Sequence, residues 1–209
     1  MISVNLEELV PYGHLFYLLQ FSVAGRTNAY GQPILNLLTS CSNLKKLEYV
    51  GSDGEQDALV MTALQDSCPL LEELELRNVS LNQQQSAGPV FLIPTNRNCK
   101  HLRTLTVFSC DVASGSAIQR IAEIESLKEL KLYDCGGLSD ADLAVLATMS
   151  LVDLTLRDFQ RSDWRAASLQ CLVGSNISQT LEYFDLQVWR ITQQIDDVQV
   201  ATPWLPVTT

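Results

Sequence analysis

The sequence lacks any apolar run long enough to cross a membrane. Its longest apolar stretch, residues 14–24, is about half of the roughly 18 to 20 residues that a bilayer requires, and it contains Gln20. The residues before this stretch include Glu7 and Glu8 but no lysine or arginine, which is the reverse of the basic start of a secretory signal. We therefore expect a soluble chain that is neither secreted nor bound to a membrane.

Basic residues are also scarce. The chain has 14 Lys and Arg against 24 Asp and Glu, which gives a formal net charge of -10. Such a chain is repelled by a phosphate backbone or by anionic lipid head groups. The charge balance therefore predicts no nucleic-acid partner.

Residues suited to catalysis are few. The chain has two histidines, and His101 lies at a strand entrance without a matching serine and aspartate arrangement. Cys99, His101 and Cys110 have the side chains of a metal site, but they lack a paired spacing such as C-x₂-C. Gly136-Gly137 fits a turn better than a phosphate loop. We expect no enzyme, no cofactor and no metal.

What the sequence does contain is a repeat. Its 209 residues, 46% of them hydrophobic, are enough for one domain with a sizeable core. A pattern of Leu, two variable residues, Leu, one variable residue and an apolar residue returns at steps of 27, 31, 25, 24 and 30 residues. The two long steps indicate loop insertions. The copies are Leu44–Tyr49, Leu71–Leu76, Leu102–Val107, Leu127–Leu132, Leu151–Leu156 and Leu181–Leu186, and Leu6–Leu9 is a possible degenerate copy.

Each copy alternates at period 2, which predicts a short strand with one buried face. The segments between copies have helical spacing. The best defined begins at Ser139, whose side chain and an acid three residues on, Asp142, form a capping-box variant. The other predicted helices cover residues 33–38, 58–64, 117–122 and 167–172.

A unit of this size must stack on its neighbours to bury its apolar face. We therefore predict an α/β solenoid, a horseshoe with a parallel sheet on its concave side and helices on its convex side. Residues 1–30 form a degenerate first repeat or an N-terminal segment, residues 31–190 form about six repeats, and residues 191–209 form an irregular tail.

Five of the six cysteines follow the repeat, and the sixth, Cys171, lies within a predicted helix. Cys41, Cys68 and Cys99 lie three residues before a first leucine, whereas Cys110 and Cys135 lie eight residues after one. Equivalent positions form interior columns, which favours buried thiols over disulfides. Free thiols in turn indicate a reducing compartment, the cytoplasm or the nucleus.

Two stretches resemble the cysteine-containing subclass of leucine-rich repeats: residues 68–76 and residues 127–143, with Cys135 and the capped helix. This subclass is typical of F-box/LRR substrate receptors. The resemblance covers residues 31–190 and implies the fold and substrate recognition for an SCF-type ubiquitin ligase. The departures are the lack of an F-box before the repeats and the presence of Ser52 and Phe159 where the turn cysteine is expected.

The exposed strand positions predict a protein-binding surface. The third, fifth and seventh residues of each copy form three rows on the concave face. Its predicted binding residues are Arg77, Phe108, Tyr133 and Arg157 in the seventh row and Glu75, Thr106 and Lys131 in the fifth.

Arginines and aromatics are enriched at interface hot spots, although exposed aromatics also occur on β-surfaces without a binding role. The acidic residues of these rows favour a basic partner. Two other functions remain open, an LRR sensor or inhibitor with no ubiquitin role and an extracellular recognition domain.

Overall fold

One parallel sheet runs through the molecule. The computed structural model describes residues 6–22, 31–51, 55–79, 82–85, 88–91, 99–109, 116–135, 138–159 and 166–188. Seven strands form one continuous parallel sheet in chain order. A separate two-stranded hairpin is inserted in the chain between the third and fourth of these strands. The strands of the sheet are β1 (Leu18–Ser22), β2 (Lys46–Val50), β3 (Glu73–Arg77), β6 (Thr104–Phe108), β7 (Glu129–Tyr133), β8 (Asp153–Phe159) and β9 (Tyr183–Val188).

Helical segments alternate with the strands. They are α1 (Leu6–Leu9), a 3₁₀ helix (Val10–Leu15), α2 (Gly31–Ser40), α3 (Glu55–Ser67), α4 (Ser116–Ala122), α5 (Asp140–Leu146), a second 3₁₀ helix (Ala166–Leu172) and α6 (Asn176–Thr180). All five predicted helical stretches are confirmed, the last of them as a 3₁₀ helix. The predicted capping box is also present, with the Ser139 side chain accepting from the Asp142 N–H and the Asp142 side chain accepting from the Ser139 N–H.

The strands pair in the register that the repeat predicts. The second leucine of each copy is aligned with the equivalent residue of the next, for example Leu47 with Leu74 and Leu74 with Leu105. In the last copy this residue is Phe184, which is aligned with Leu154. Alternate residues of the strands are buried in one core together with apolar helix residues such as Ile118 and Leu143. The helices therefore cover one face of the sheet, and the other face is exposed.

A hydrogen-bond pattern recurs at the entrance of every strand of the sheet after β1. The N–H groups of Glu72 and Glu73 both donate to the Lys45 carbonyl, and those of Arg103 and Thr104 both donate to the Glu72 carbonyl. The same pair of hydrogen bonds to one carbonyl of the preceding unit occurs at the entrance of β2, β7, β8 and β9. The units are therefore equivalent in backbone geometry as well as in sequence.

The first strand differs from the prediction. Leu6–Leu9 is helical, with Glu7 and Glu8 in the first turn, where acids are favourable. The additional strand is β1, paired in register with β2. Its copy of the pattern begins at Phe16 and has aromatic residues in the first and last apolar positions, so a search for leucine misses it.

The insertion before β6 carries a hairpin. The long step between the second and third copies contains β4 (Asn82–Gln85) and β5 (Gly88–Phe91), which pair antiparallel. This confirms the predicted loop insertion and shows that part of it is regular structure.

The cysteine columns are interior where they are described. Cys41, Cys68, Cys99 and Cys135 are fully buried with free thiols. The Cys68 thiol lies 3.8 Å from the Leu38 carbonyl, and the Cys99 thiol lies 4.0 Å from that of Leu64, each in the preceding unit. The thiols thus cover the carbonyls at the end of a neighbouring helix.

Some predictions concern residues outside those that the structure describes: Cys110, Gly136-Gly137 and the tail at residues 191–209. None of the described helices could cross a membrane, since the longest of them, α3, has 13 residues.

Candidate protein-binding face

The three predicted rows lie on the exposed face of the sheet. Strand register places each residue of a row beside the equivalent residue of the next strand. The third row is Lys46, Glu73, Thr104, Glu129, Asp153 and Tyr183; the fifth is Glu48, Glu75, Thr106, Lys131, Thr155 and Asp185; the seventh is Val50, Arg77, Phe108, Tyr133, Arg157 and Gln187.

Thr155 is the exception to the predicted exposure, because only 3% of it is accessible. Its side chain is short, and its neighbours in the fifth row, Lys131 and Asp185, are longer. Its hydroxyl donates to Asp153 at 3.3 Å. Thr155 is therefore covered by its neighbours and contributes almost no accessible surface to this face.

A cation–aromatic stack lies at the centre of the seventh row. The rings of Phe108 and Tyr133 are 4.6 Å apart and nearly parallel, with an interplanar angle of 9°. The guanidinium carbon of Arg77 lies 3.8 Å from the centre of the Phe108 ring. Because neighbouring strands are about 4.8 Å apart, side chains at one register position are placed at stacking distance by the backbone itself.

Each arginine of this row is held by a carboxylate of the fifth row. Arg77 Nη2 lies 2.6 Å from Glu75 Oε1, on its own strand. Arg157 pairs with Asp185 of the next strand, with Nε at 2.8 Å from Oδ2. About half of each arginine side chain remains accessible. These pairs fix the guanidinium groups and neutralise their charge locally.

Two lysines each bridge a pair of carboxylates. Lys46 Nζ lies 3.3 Å from both Glu48 Oε1 and Glu73 Oε2. Hydrogen bonds with Glu73 and Glu48 raise the pKa of Lys46, so its positive charge is secure at neutral pH.

Lys131 Nζ repeats this arrangement, at 2.9 Å from Glu129 Oε2 and 3.2 Å from Asp153 Oδ2. Burial lowers the pKa of Lys131, but the hydrogen bonds with Glu129 and Asp153 outweigh it and leave the pKa raised. Each bridged group therefore has two negative charges and one positive.

All seven predicted binding residues lie on this face. Phe108 contacts both Arg77 and Tyr133, and Arg157 follows one strand later. In the fifth row, Thr106 lies between Glu75 and Lys131. The lysine-bridged groups were not predicted, because one carboxylate of each group comes from the next strand and its position depends on strand register.

A turn row lies beyond the seventh row. Asn78, Ser109 and Asp134 have φ near +50°, the left-handed conformation that Asn and Asp tolerate better than most residues. Their N–H groups donate to the carbonyls of Phe108, Tyr133 and Arg157, and the Ser109 hydroxyl donates to Asp134 at 3.2 Å. This row fixes the backbone that carries the aromatic stack.

A buried acid in the core was not predicted. Asp57 and Tyr49 are both fully buried, and the Tyr49 hydroxyl donates to Asp57 Oδ1 at 2.5 Å. Gly51 makes room for the carboxylate, since a Cβ there would lie 2.7 Å from it. Burial, followed by this hydrogen bond, raises the pKa of Tyr49. The pair lies on the helix side of the sheet and is structural.

The residues considered as metal ligands lie only partly within the part of the chain that the structure describes. No group of three or more His, Cys, Asp or Glu residues there could hold a metal ion. His101 is an exposed turn residue. Cys110, the third residue of the metal-ligand set that the spacing disfavours, lies outside the described residues.

No protein-family model matches the chain, and the curated proteins include none with significant similarity to it.

Proposed function

We propose that this chain is a leucine-rich-repeat solenoid that binds a protein partner on the exposed face of its sheet. The aligned repeats and the recurring double hydrogen bond at the strand entrances support the repeat fold. Because a helix is wider than the strand spacing, such a stack curves with its sheet on the inside, so the exposed face is the concave one.

The observation that carries the binding role is the stack of Arg77, Phe108 and Tyr133. It presents aromatic and guanidinium surface, which contributes strongly to interfaces, on a rigid sheet. The side chains are held in place before any partner arrives, so little conformational entropy is lost on binding. No bound molecule needs to be transformed for this arrangement to act.

Alanine substitution tests the proposal. Phe108→Ala and Tyr133→Ala should each weaken partner capture from cell extract by about fivefold or more, since anchor residues contribute more than about 1 kcal/mol. Gln119→Ala and Arg120→Ala on the helical side are the controls and should capture the partner at the wild-type level. Equal losses from both sets would contradict a site on this face.

The more specific proposal is substrate recognition for an SCF-type ubiquitin ligase. It rests on the resemblance of residues 68–76 and 127–143 to the cysteine-containing repeats. Recovery of a cullin scaffold and its adaptor with the full-length gene product would support it. Their repeated absence from a clean preparation would favour the sensor or inhibitor role.

The thiols favour a cytoplasmic or nuclear location. The four fully buried cysteines have free thiols, as expected where glutathione keeps thiols reduced. A count of free thiols in the denatured chain taken from cells tests this: six would support it, whereas disulfide-bonded cysteines would favour the extracellular alternative.

A further inference from the structure

We propose that the occupant of the exposed sheet face is an extended basic segment that crosses the strands, with two cationic side chains four residues apart. This inference rests on the proposed function and adds the partner's chemistry and spacing. It follows from the pattern of charge over the whole face.

The face is neutral at the seventh row and negative beside it. The pair of Arg77 and Glu75 has no net charge, and neither has the pair of Arg157 and Asp185. The remaining charges of the three rows are the two lysine-bridged groups, each with a net charge of -1. The face therefore attracts a basic segment, in agreement with the overall charge of -10.

The two lysine-bridged groups occupy equivalent places. The first lies at the third and fifth rows of β2 and the third row of β3; the second lies at the same rows of β7 and β8. In each group the lysine contacts one oxygen of each carboxylate. A carboxylate accepts through two oxygens. The second oxygen of Asp153 already accepts from Thr155, so in that group Glu129 retains the capacity for a cation from a partner, whereas in the first group both carboxylates retain it.

The spacing of the groups sets the spacing in the partner. From β2 to β7 there are three strand steps, because β3 and β6 lie between them. At a strand separation of about 4.8 Å this is about 14 Å, which an extended chain covers in about four residues. Residues i and i+4 of an extended chain also point to the same side, so both cations reach the sheet.

The surface between the two groups suits such a segment. Thr104 and Thr106 of β6 lie there and offer hydroxyl groups without charge. Along one flank, the stacked rings of Phe108 and Tyr133 offer apolar contact. Because Arg77 and Arg157 of the same row are already paired with carboxylates, they repel an incoming cation only weakly.

Selection from a library tests the partner's chemistry. A displayed library of random nine-residue peptides is panned on the full chain, and the enriched peptides are titrated against it. We expect Lys or Arg to be enriched at two positions four residues apart. Enrichment of acidic or wholly apolar peptides, or no enrichment at all, would overturn the inference.

Charge variants then test the place. Glu73→Gln and Glu129→Gln should each weaken the binding of the enriched basic peptides about threefold, because each removes one exposed charge pair with the peptide. Lys131→Gln should strengthen their binding, because it removes a competing cation. Glu125→Gln, at an exposed turn position between α4 and β7 and outside the three rows, is the matched control. Opposite effects of Glu129→Gln and Lys131→Gln exclude a merely structural role, whereas equal losses would overturn the inference.

The aromatic pair separates this inference from the proposed function. Enriched peptides that are not basic, but whose affinity falls with Tyr133→Ala, would contradict the inference and still support the binding face. Enriched peptides of any kind that bind Phe108→Ala and Tyr133→Ala as tightly as the wild type would contradict the binding face itself.

Discussion

At the scale of the residue, the turn before each strand shows what its geometry requires. The Leu71 N–H donates to the Cys68 carbonyl, and the Leu102 N–H donates to that of Cys99. The same bond joins Phe16 to Gly13 and Leu127 to Ile124. The residue that accepts this bond is buried, and it is a cysteine, a glycine or an isoleucine. The position therefore requires a residue without an exposed polar side chain, and cysteine meets this requirement as a small apolar residue.

The thiols should be unreactive in the folded chain. Burial raises the pKa of Cys68 to about 12 and that of Cys99 to about 11, so neither holds appreciable thiolate at pH 8. We expect both to react with iodoacetamide at least about tenfold more slowly in the native chain than in urea. Mass spectrometry of timed samples checks this, with half-buried Cys171 as the internal comparison.

The same shifts set the sign of a pH dependence. Between the usual thiol pKa of 9.0 and the folded values, the unfolded chain loses thiol protons that the folded chain keeps. The unfolding free energy should therefore fall as the pH rises from about 9 towards 11. Cys68→Ala with Cys99→Ala should flatten this fall; an unchanged slope would contradict the shifts.

Ser139 is the other residue with a defined local role. Ser139→Ala removes the side chain that accepts from the Asp142 N–H, so it should lower the unfolding free energy by about 1 kcal/mol. Urea denaturation measures the change. Ser42→Ala at an exposed turn is the control and should be near neutral; a similar loss there would contradict the capping role.

At the scale of the element, the strands were predictable where leucine marks the pattern. Six of the seven strands of the sheet follow directly from the period-2 alternation, and so do the three rows. The copy that begins at Phe16 was not predicted, because phenylalanine stands at two of the three apolar positions of the pattern. The buried Asp57 was not predicted because its hydrogen bond with Tyr49 depends on how α3 packs against β2. The burial of Thr155 was not predicted because it depends on the side chains of the two flanking strands.

The alternation makes a sharp prediction within one strand. Leu105 is fully buried, and its neighbour Thr106 lies on the exposed face. Leu105→Ala should lower the unfolding free energy by about 2 to 5 kcal/mol, whereas Thr106→Ala should change it by less than about 0.5 kcal/mol. Denaturant titration of the two variants checks this; comparable losses would contradict the assigned faces.

At the scale of the whole molecule, each unit contacts mainly its neighbours in the chain. The sheet is in chain order, and α2 packs on α3 as α4 packs on α5. A long regular face results, on which side chains from six strands form continuous rows. Sequence alone placed those rows, but the ion pairs and the aromatic stack across them needed the register of the strands.

Site-specific photo-crosslinking tests the central claim, that the exposed sheet face is the binding surface. A benzophenone amino acid is placed at position 106 in the middle of the face and, separately, at position 119 on the exposed side of α4. We expect a partner protein to be crosslinked from position 106 and not from position 119. A partner captured from position 119 and not from position 106 would contradict it.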